Sequence, residues 1–215
     1  MQGQFITIEG PDGAGKTSVI ESLVPRLRDV AKCDIVETRE PGGIPIAEEI
    51  RKVILSPDNH LMDDKTEALL YAAARRQHFV EKIKPSLDAG KMVICDRFVD
   101  SSLAYQGRAR GIGVESIQEI NDFATDQTVP DMTLYIDIDP ETGIQRVQQS
   151  SVTLDRIETS GIEFQQRVRH AYLDLWKENL GRIVKIDGKQ PLEQVVNDCF
   201  YAICQKYPDI FPVRQ

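Results

Sequence analysis

The sequence is poor in the residues that build metal centres and disulfide frameworks. It has four cysteines and three histidines among 215 residues. No two cysteines form a CxxC pair, and none stands at zinc-binding spacing from a histidine. Structural zinc sites and disulfide-stapled folds need such clusters, so the sequence argues against both. We therefore expect buried, reduced thiols at Cys33, Cys95, Cys199 and Cys204.

Long apolar runs and an excess of positive charge are also missing. No apolar run approaches the roughly 20 residues that cross a bilayer, and the opening MQGQFITIEG lacks the basic start and apolar stretch of a signal peptide. We therefore expect a cytoplasmic protein with no membrane partner. The 34 acidic residues outnumber the 26 basic ones, giving a net charge of −8. This balance argues against a general nucleic-acid binder, because a polyphosphate backbone requires a basic face.

Five short runs rich in β-forming residues alternate with long helical patterns. They lie at residues 4–9, 33–38, 92–96, 132–138 and 182–186. Strands that each lead into a helix or an insertion are typical of a mostly parallel sheet built from βα units. We predict one α/β domain over residues 1–215, with a five-stranded parallel sheet flanked by helices in three layers.

Apolar residues at helical spacing predict the helices around this sheet. Helices are expected after the first strand, over residues 63–87 and 161–179, and from about Pro191 onward. The apolar positions of the second of these are Leu69, Ala72, Ala73, Phe79, Val80, Ile83 and Leu87. Residues 148–161 show weak periodicity, so we expect an irregular excursion there that serves as a lid.

The stretch IEGPDGAGKTSV, residues 8–19, carries the clearest motif. Its residues 10–17 fit G-x-x-x-x-G-K-[ST] between a predicted strand and a predicted helix. Glycines allow backbone N–H groups to surround the oxygens of a polyphosphate, and the following helix N-terminus adds its positive dipole end. Lys16 is placed to reach the outer phosphates and Thr17 to bind Mg²⁺. The stretch is therefore predicted to be a nucleotide-binding loop.

Further polar residues follow the second and third predicted strands. Arg39 precedes a Pro-Gly-Gly turn, and Asp96 and Arg97 end the third strand. Open parallel sheets bind ligands at this edge, and a strand-end arginine suits bidentate phosphate capture. GTPases, motors and small-molecule kinases share the glycine loop, but no guanine-reading NKxD-like tetrapeptide follows a strand here. The chain is also too short for a motor domain with a separate effector.

Two helical patterns supply aromatic and amide side chains. Ser101 and Tyr105 are four residues apart on one face, followed by Gln106. Tyr71 and Arg75 are also four apart, on a flank that we predict to lie away from the apolar stripe of their helix. An aromatic ring beside an arginine and an amide fits stacking on a nucleobase and reading its edge.

The glycine loop, TREPGG, LLYAAARRQ, DRFVDSSLAYQG and LDRIE occur in this order and together resemble the thymidylate kinase family. The resemblance runs from Phe5 to about Val195. It implies transfer of the γ-phosphoryl group of ATP to dTMP, which gives dTDP and supplies dTTP synthesis for DNA replication. It also implies Mg²⁺ bound with ATP, and a homodimer.

The resemblance implies a role for each matching residue. The implied ATP-binding residues are Gly10, Pro11, Asp12, Gly13, Ala14, Gly15, Lys16, Thr17, Ser18 and Arg146, the last near adenine with residues around Lys189 and Gln190 opposite. The implied dTMP-binding residues are Asp12 at the 3′-hydroxyl, Arg39 and Arg97 at the phosphate, Tyr71 stacked on thymine, Arg75 at its O4, Ser102 and Gln106 at the base, and Tyr105 against the 2′ position.

The implied catalytic residues are Lys16, Asp96, Arg97 and Arg156, with Thr17 and Asp96 at the metal. In this family a mobile catalytic arginine comes from the glycine loop or from the lid. Gly13 follows Asp12 here, so the lid residue Arg156 in LDRIE becomes the candidate.

Two alternatives remain open at this point. The first is another nucleoside monophosphate kinase, which Tyr105 and Gln106 would distinguish. The second is a nucleotide switch that binds partners and hydrolyses nucleotide slowly. The remaining features receive plain structural interpretations: His60, His78 and His170 have no assigned role, Trp176 is core or interface, and residues 48–52 form a solvated helix face.

Overall fold

Five short strands pair in parallel at the centre of the computed structural model, which describes residues 3–149 and 155–212. They are β1 (Phe5–Glu9), β2 (Ile35–Arg39), β3 (Met92–Asp96), β4 (Met132–Asp137) and β5 (Ile183–Asp187). Their order in the sheet is β2-β3-β1-β4-β5. The predicted strand positions and the parallel arrangement are confirmed.

The register of the sheet aligns the carboxyl ends of its central strands. Ile8 of β1 pairs with Asp96 of β3, and Asp96 pairs in turn with Arg39 of β2. On the other side, Glu9 pairs with Tyr135 of β4. The segments that leave β1, β2 and β3 therefore start at one edge, which is where ligands bind in open parallel sheets.

Helices cover both faces of the sheet. They are α1 (Lys16–Val30), α2 (Pro45–Leu55), α3 (Asp64–His78), α4 (Lys84–Asp88), α5 (Val99–Ser102), α6 (Val114–Thr125), α7 (Pro140–Gln149), α8 (Ile162–Glu178) and α9 (Leu192–Lys206). Two π-helical segments join them, Phe79–Ile83 between α3 and α4 and Leu103–Ala109 after α5. Short 3₁₀ turns occur at Pro57–Asn59 and Glu158–Ser160.

The core consists of two apolar layers, one on each face of the sheet. Because successive strand residues point to opposite faces, Phe5 and Val93 pack with α8 on one side, whereas Ile6 and Ile94 pack with α1 and α9 on the other. The apolar positions predicted for α8 and α9 are buried, as are those of α1. The three-layer α/β prediction is confirmed.

The helix predicted over residues 63–87 differs from the structure in its exposed face. Ala72, Phe79 and Ile83 are buried, but Leu69 is 56% exposed, and Ala73 and Val80 are exposed too. Seven apolar positions cover more of a helix circumference than one core can contact. The π-helical segment also changes the side of the helix on which the later residues lie. The pattern therefore indicated a second surface as well as a core.

The predicted irregular excursion is partly confirmed. Helix α7 continues to Gln149, so the prediction is wrong for the first two of residues 148–161. Residues 150–154 lie outside the described residues. From Asp155 the chain forms a turn and the 3₁₀ segment before α8 begins at Ile162.

All four cysteines lie in the described part of the chain and are free thiols. Cys95 and Cys199 are buried, whereas Cys33 and Cys204 are only partly so. No helix within residues 3–149 and 155–212 is long and apolar enough to cross a membrane.

Candidate active site

A cavity of about 550 Å³ opens at the carboxyl ends of β1, β2 and β3. Most of the residues predicted from the sequence meet there. The predicted residues that line it are Asp12, Gly13, Gly15, Lys16, Thr17, Ser18, Arg39, Tyr71, Arg75, Asp96, Arg97, Ser102, Tyr105, Gln106 and Arg146. Of the rest of the glycine loop, Ala14 is buried in the core and the carbonyls of Gly10 and Pro11 face Lys16.

Two glycines of the loop have left-handed backbone conformations. Gly13 has φ +75° and Gly15 has φ +85°, which side chains rarely adopt. A Cβ at Gly13 would also lie 2.2 Å from the carbonyl oxygen of Gly143 on α7. The loop therefore needs glycine at this position for two reasons, backbone conformation and close contact with α7.

Lys16 is the first residue of α1 and its side chain folds back over the loop. The Nζ atom donates to the carbonyls of Gly10 at 3.1 Å and Pro11 at 3.0 Å. Burial and the nearby Arg97 lower the pKa of Lys16 to about 8. Nearby carboxylates, Asp96 foremost, favour the charged form of Lys16 but do not offset this lowering.

Arg97 leaves β3 in a left-handed conformation, with φ 68°, which is unusual for a residue other than glycine. Its guanidinium donates to Asp12 Oδ1 at 2.5 Å and to the Gly10 carbonyl at 2.9 Å. The Tyr105 hydroxyl donates to Asp12 Oδ2 at 3.0 Å. The arginine, the acid and the tyrosine predicted around the acceptor nucleotide thus form one hydrogen-bonded group.

Glu9 supports this group from below and was missed at the sequence level. Its buried carboxylate accepts hydrogen bonds from the Phe98 backbone N–H at 2.7 Å, the Ser101 hydroxyl at 2.6 Å and the Tyr172 hydroxyl at 2.8 Å. Burial, followed by the charge of Asp100, raises the pKa of Glu9 to about 7. By bonding Phe98, Glu9 fixes the backbone turn that carries Arg97. The sequence signal that could have identified Glu9 was an acidic residue at the end of a buried strand.

A second pair of arginines lies across the cavity. Arg39 donates to Glu48 at 2.8 Å, and both Arg39 and Arg51 donate to the Pro41 carbonyl at 2.9 Å. Burial and the charge of Arg39 lower the pKa of Arg51, which lines the cavity. The prediction of a solvated face for residues 48–52 is therefore wrong for Glu48 and Arg51, because α2 packs its first turns against the Pro-Gly-Gly turn.

Arg75 is fully buried rather than on an exposed flank, which corrects the prediction. Its Nε pairs with Glu40 at 2.7 Å, and Nη1 donates to Ser102 at 3.0 Å and also to Asn121. One N–H of Nη2 donates to the Phe98 carbonyl at 3.0 Å. A guanidinium with this many partners can be buried beside apolar residues of its helix and hold one orientation.

The partner of Arg75 is itself fixed by a buried histidine. His78 Nδ1 lies 2.9 Å from the second oxygen of Glu40, and its Nε2 lies 2.7 Å from the Thr38 hydroxyl. The structure therefore gives His78 a supporting position that the sequence did not reveal. These contacts join residues 38 to 40 positions apart, so no local pattern signals them.

Tyr71 and Gln106 complete the wall next to Arg75. Burial, followed by the charge of Glu67, raises the pKa of the Tyr71 phenol, so its neutral form is favoured. Gln106 lies in the π-helical segment after α5 and donates from Nε2 to Glu67 Oε1 at 2.8 Å. The wall thus presents an aromatic ring, an amide and a guanidinium, which is the set required to bind a nucleobase.

Arg156, the predicted lid arginine, packs against α2 and α3. Its Nε donates to the Ile54 carbonyl at 3.0 Å and its Nη2 contacts Glu67 at 2.5 Å. Among the described residues of this segment, Asp155 and Glu158 line the cavity and Arg156 does not. Burial raises the pKa of both of these carboxyl groups. The described part of this segment therefore presents Ile157 and two acids to the cavity, and not Arg156.

Arg146 of α7 lies on the far side of the glycine loop. Its guanidinium donates to the Gly188 carbonyl at 3.2 Å, and the adjacent Lys189 pairs with Asp139 at 2.6 Å. Arg146 thus contacts the turn that contains Lys189 and Gln190.

Asp96 and Thr17 provide oxygen atoms suited to a divalent cation. Asp96 Oδ1 is buried and has no hydrogen-bond partner in the described chain. Thr17 is exposed at the start of α1. Hard cations such as Mg²⁺ prefer oxygen ligands, and a buried, unpaired carboxylate oxygen fits that preference. Within the described residues no cluster of three or more His, Cys, Asp or Glu could enclose a metal. The remaining ligands would be phosphate oxygens and water.

Comparison with known proteins agrees with the geometry of the cavity. A family model described as thymidylate kinase matches residues 8–199. The thymidylate kinase of Enterococcus faecalis is 59% identical over 212 residues, which cover 98% of this chain and 100% of the relative. That of Latilactobacillus sakei is 54% identical over 214 residues, covering 99% and 100%. The crystal structure of thymidylate kinase from Ehrlichia chaffeensis matches with a TM-score of 0.78 and 34% identity, covering 94% of this chain and 100% of the other.

Proposed function

This chain belongs to the thymidylate kinase family, and from that premise we propose how its cleft carries out the reaction. The protein is a phosphotransferase that acts on dTMP, with ATP and dTMP as its nucleotide substrates. One observation carries the residue assignment: a single cavity is lined by the glycine loop, by five arginines and by a wall suited to a base, to which one of these arginines belongs. We propose that one domain provides both nucleotide sites.

ATP binds over the glycine loop in this proposal. Backbone N–H groups around Gly13 and Gly15 surround its phosphates together with the N-terminus of α1. Lys16 exchanges the carbonyls of Gly10 and Pro11 for the outer phosphates. Arg146, held at the Gly188 carbonyl, borders the adenine.

The phosphate of dTMP binds between Arg39 and Arg97, with Arg51 as a third cation. All three line the cavity, and Arg97 is already oriented by Asp12. Asp12 also receives the 3′-hydroxyl of the sugar, and the Tyr105 ring limits space at the 2′ position. Phosphoryl transfer depends mainly on aligning donor with acceptor and on neutralising charge, and fixed arginines do both.

The base binds against Tyr71, Arg75, Ser102 and Gln106. Tyr71 stacks on thymine. Arg75 carries two N–H groups on Nη2, of which one donates to the Phe98 carbonyl, so the other remains to donate to O4. Because Glu40, Ser102 and Asn121 hold the remaining N–H groups, the donor reaches the base in a fixed direction.

Thr17 and Asp96 are the residues that would hold Mg²⁺, with Asp96 acting through water. When bound, the ion neutralises phosphate charge during the transfer. We also propose Arg156 as the mobile cation of the lid, a role for which it must exchange Glu67 for the nucleotide. The acids Asp155 and Glu158 would then leave the cleft with the same movement.

We further propose that the protein is a homodimer that works in the cytoplasm. Leu69, Ala73 and Val80 form an exposed apolar stripe along α3 and its π-helical extension, and Phe123 of α6 is 86% exposed. Arg76 donates to the Ala124 carbonyl at 3.3 Å, so α6 lies directly beside this stripe. We call these four residues the α3–α6 face. The free cysteines support a reducing compartment.

An acceptor panel with one loop variant tests the proposal. A coupled assay with ATP and dTMP, dUMP, UMP, AMP or shikimate is expected to show fastest turnover with dTMP. Lys16→Ala is expected to lower kcat by about 10²–10³-fold while leaving the fold intact, because it removes a cation aimed at the transferred group. The matched control is Lys32→Ala, an exposed lysine after α1, which should leave kcat unchanged.

Three outcomes would contradict the proposal. Faster turnover of another acceptor would indicate a different monophosphate kinase. ATP hydrolysis that does not depend on the acceptor would favour a nucleotide switch. An unchanged kcat in Lys16→Ala would remove the role assigned to that lysine.

A further inference from the structure

Glu67 joins the base-binding wall to the lid segment. This residue of α3 is fully buried, yet its carboxylate has three side-chain partners. Oε1 accepts from Gln106 Nε2 at 2.8 Å, and Oε2 contacts Arg110 Nη2 at 3.2 Å and Arg156 Nη2 at 2.5 Å. No local pattern in the sequence reveals this junction, because the three partners are 39, 43 and 89 positions away.

The contacts of Glu67 determine which end of the Gln106 amide faces the cavity. Carboxylate oxygens accept hydrogen bonds and do not donate them. Gln106 must therefore turn its NH₂ group toward Glu67, as it does here. The carbonyl oxygen Oε1 of Gln106 is then the end that remains for a ligand, and Gln106 lines the cavity.

We propose that Glu67 is a positioning residue for base selectivity, because it fixes Gln106 as a hydrogen-bond acceptor toward the pyrimidine ring. Thymine and uracil carry N3–H, a donor that this oxygen accepts. Cytosine carries an unprotonated N3, an acceptor that meets the same oxygen with repulsion. This inference rests on the proposed placement of the base beside Gln106.

Glu67→Gln is a sharp test because the change is isosteric and reverses the polarity of the contact. Arg110 donates at one end of residue 67, as Arg156 does before the proposed lid movement, so the new amide must turn its oxygen toward that end. Its NH₂ group then faces Gln106, which must turn its own oxygen inward and present NH₂ to the cavity. The side chain that accepted from the base now donates to it.

The expected result is a fall of about tenfold in the ratio of kcat/KM for dTMP to kcat/KM for dCMP, the size associated with one hydrogen bond in a base pocket. The ratio falls because dTMP is used less well and dCMP relatively better. General damage to the site lowers both values of kcat/KM together and leaves the ratio unchanged. The ratio therefore distinguishes a loss of base selectivity from general damage.

A double-mutant cycle with Gln106→Leu shows whether Glu67 acts through Gln106. In the Gln106→Leu background, Glu67→Gln is expected to leave the ratio unchanged, because the amide that it reorients is gone. A further fall of similar size in that background would overturn the proposal.

The single variants separate failure of this inference from failure of the site assignment. If Gln106→Leu lowers the ratio and Glu67→Gln does not, only the inference fails. If Gln106→Leu leaves the ratio unchanged, the assignment of Gln106 to the base fails, and the inference fails with it.

Two more variants complete the design. Asp64→Asn is the matched control, because Asp64 lies on the same helix as Glu67 and its carboxylate is 3.5 Å from Arg110. Neither the ratio nor kcat should change in this variant. If Glu67→Gln does not fold, Glu67→Asp keeps the charge for both arginines but shortens the reach to Gln106. A ratio unchanged in a folded Glu67→Asp variant would then overturn the proposal.

Discussion

Lys16 and Glu9 are buried charged residues near the end of β1, and burial shifts their pKa values in opposite directions. The pKa of Lys16 falls to about 8 and that of Glu9 rises to about 7. In both cases burial disfavours the charged form. Phosphate groups would add negative charge beside Lys16 and so favour its protonated form. Binding of ATP should therefore be linked to protonation of this lysine.

The first prediction concerns the pH dependence of ATP binding. Free enzyme loses the Lys16 proton as the pH rises through about 8, whereas phosphate oxygens favour the charged form. At pH values higher than this, the KM for ATP should therefore increase, by up to about tenfold per pH unit for one proton. Calorimetry in buffers of different ionisation enthalpy should show proton uptake on binding. A constant KM across that pH range, with no proton uptake, would contradict the linkage.

The second prediction concerns Tyr105, whose hydroxyl bonds Asp12 and whose ring borders the predicted 2′ position. Tyr105→Phe keeps the ring and should keep the preference for dTMP over its ribonucleotide analogue. Tyr105→Ala opens the space and should reduce that preference by about tenfold. The measurement is kcat/KM for both nucleotides with each variant. Equal loss of preference in both variants would assign discrimination to the hydroxyl instead of the ring.

Residues in local motifs were predictable from the sequence, whereas residues that act through long-range pairing were not. Gly13, Lys16 and Thr17 stand at fixed spacing between a strand and a helix, so their neighbourhood is set by the chain itself. Glu9 and Glu67 were missed because their partners come from distant segments. A carboxylate gives no sign in the sequence of which hydroxyl or guanidinium group will be folded against it.

At the scale of elements, the glycine loop and α7 are in backbone contact. A Cβ at Gly143 would lie 2.6 Å from the Asp12 carbonyl oxygen, and one at Gly13 would lie 2.2 Å from the Gly143 carbonyl oxygen. The loop and α7 are therefore in mutual contact. Arg146 is on the same helix, so in the proposed ATP site this contact would also set the distance between the phosphate and adenine sides.

The third prediction compares two glycines of the loop. Gly13→Ala and Gly15→Ala both place a side chain in the left-handed region, at a cost of about 1–2 kcal/mol. Only Gly13→Ala also collides with α7, and crowding of this kind costs about 1–3 kcal/mol more. Gly15 has open space around its missing Cβ and is the matched control. Denaturant unfolding should rank Gly13→Ala as the less stable variant; equal stabilities would show that α7 moves aside freely.

Helix positions were predicted well where one face alone was apolar, as in α8 and α9. The prediction was less accurate for α3, where Leu69 and Val80 were expected in the core and Arg75 outside it. Apolar periodicity does not distinguish a core from a second interface, and it does not detect a buried guanidinium satisfied by distant partners. Helix type was also unpredictable, because no composition signal distinguishes a π-helical segment from an α-helical one.

At the scale of the whole molecule, the parallel sheet and its helix layers followed from alternating βα units, but the strand order and the surface did not. The α3–α6 face places four exposed apolar side chains on adjacent helices of a protein with net charge −8. Surface patches of this kind mark interaction sites in many proteins. A second copy of the chain, which meets the same face by two-fold symmetry, would cover it.

The fourth prediction tests this face. Phe123→Lys is expected to shift a dimer toward monomer, because two lysines would oppose each other or bury a charge across a two-fold interface. Leu61→Lys is the matched control: Leu61 is 87% exposed but lies outside the α3–α6 face. Sedimentation velocity at several protein concentrations measures the oligomeric state of both variants. A dimer that Phe123→Lys leaves unchanged would place the interface elsewhere.

The position of β1 between β3 and β4 has a consequence for synthesis of the protein. β1 and the glycine loop leave the ribosome before the two strands that flank β1, which end only at Asp96 and Asp137. A nascent chain that stops before β4 lacks one neighbour of β1 and the helix that contacts Gly13. The glycine loop is therefore translated well before the elements that complete its surroundings.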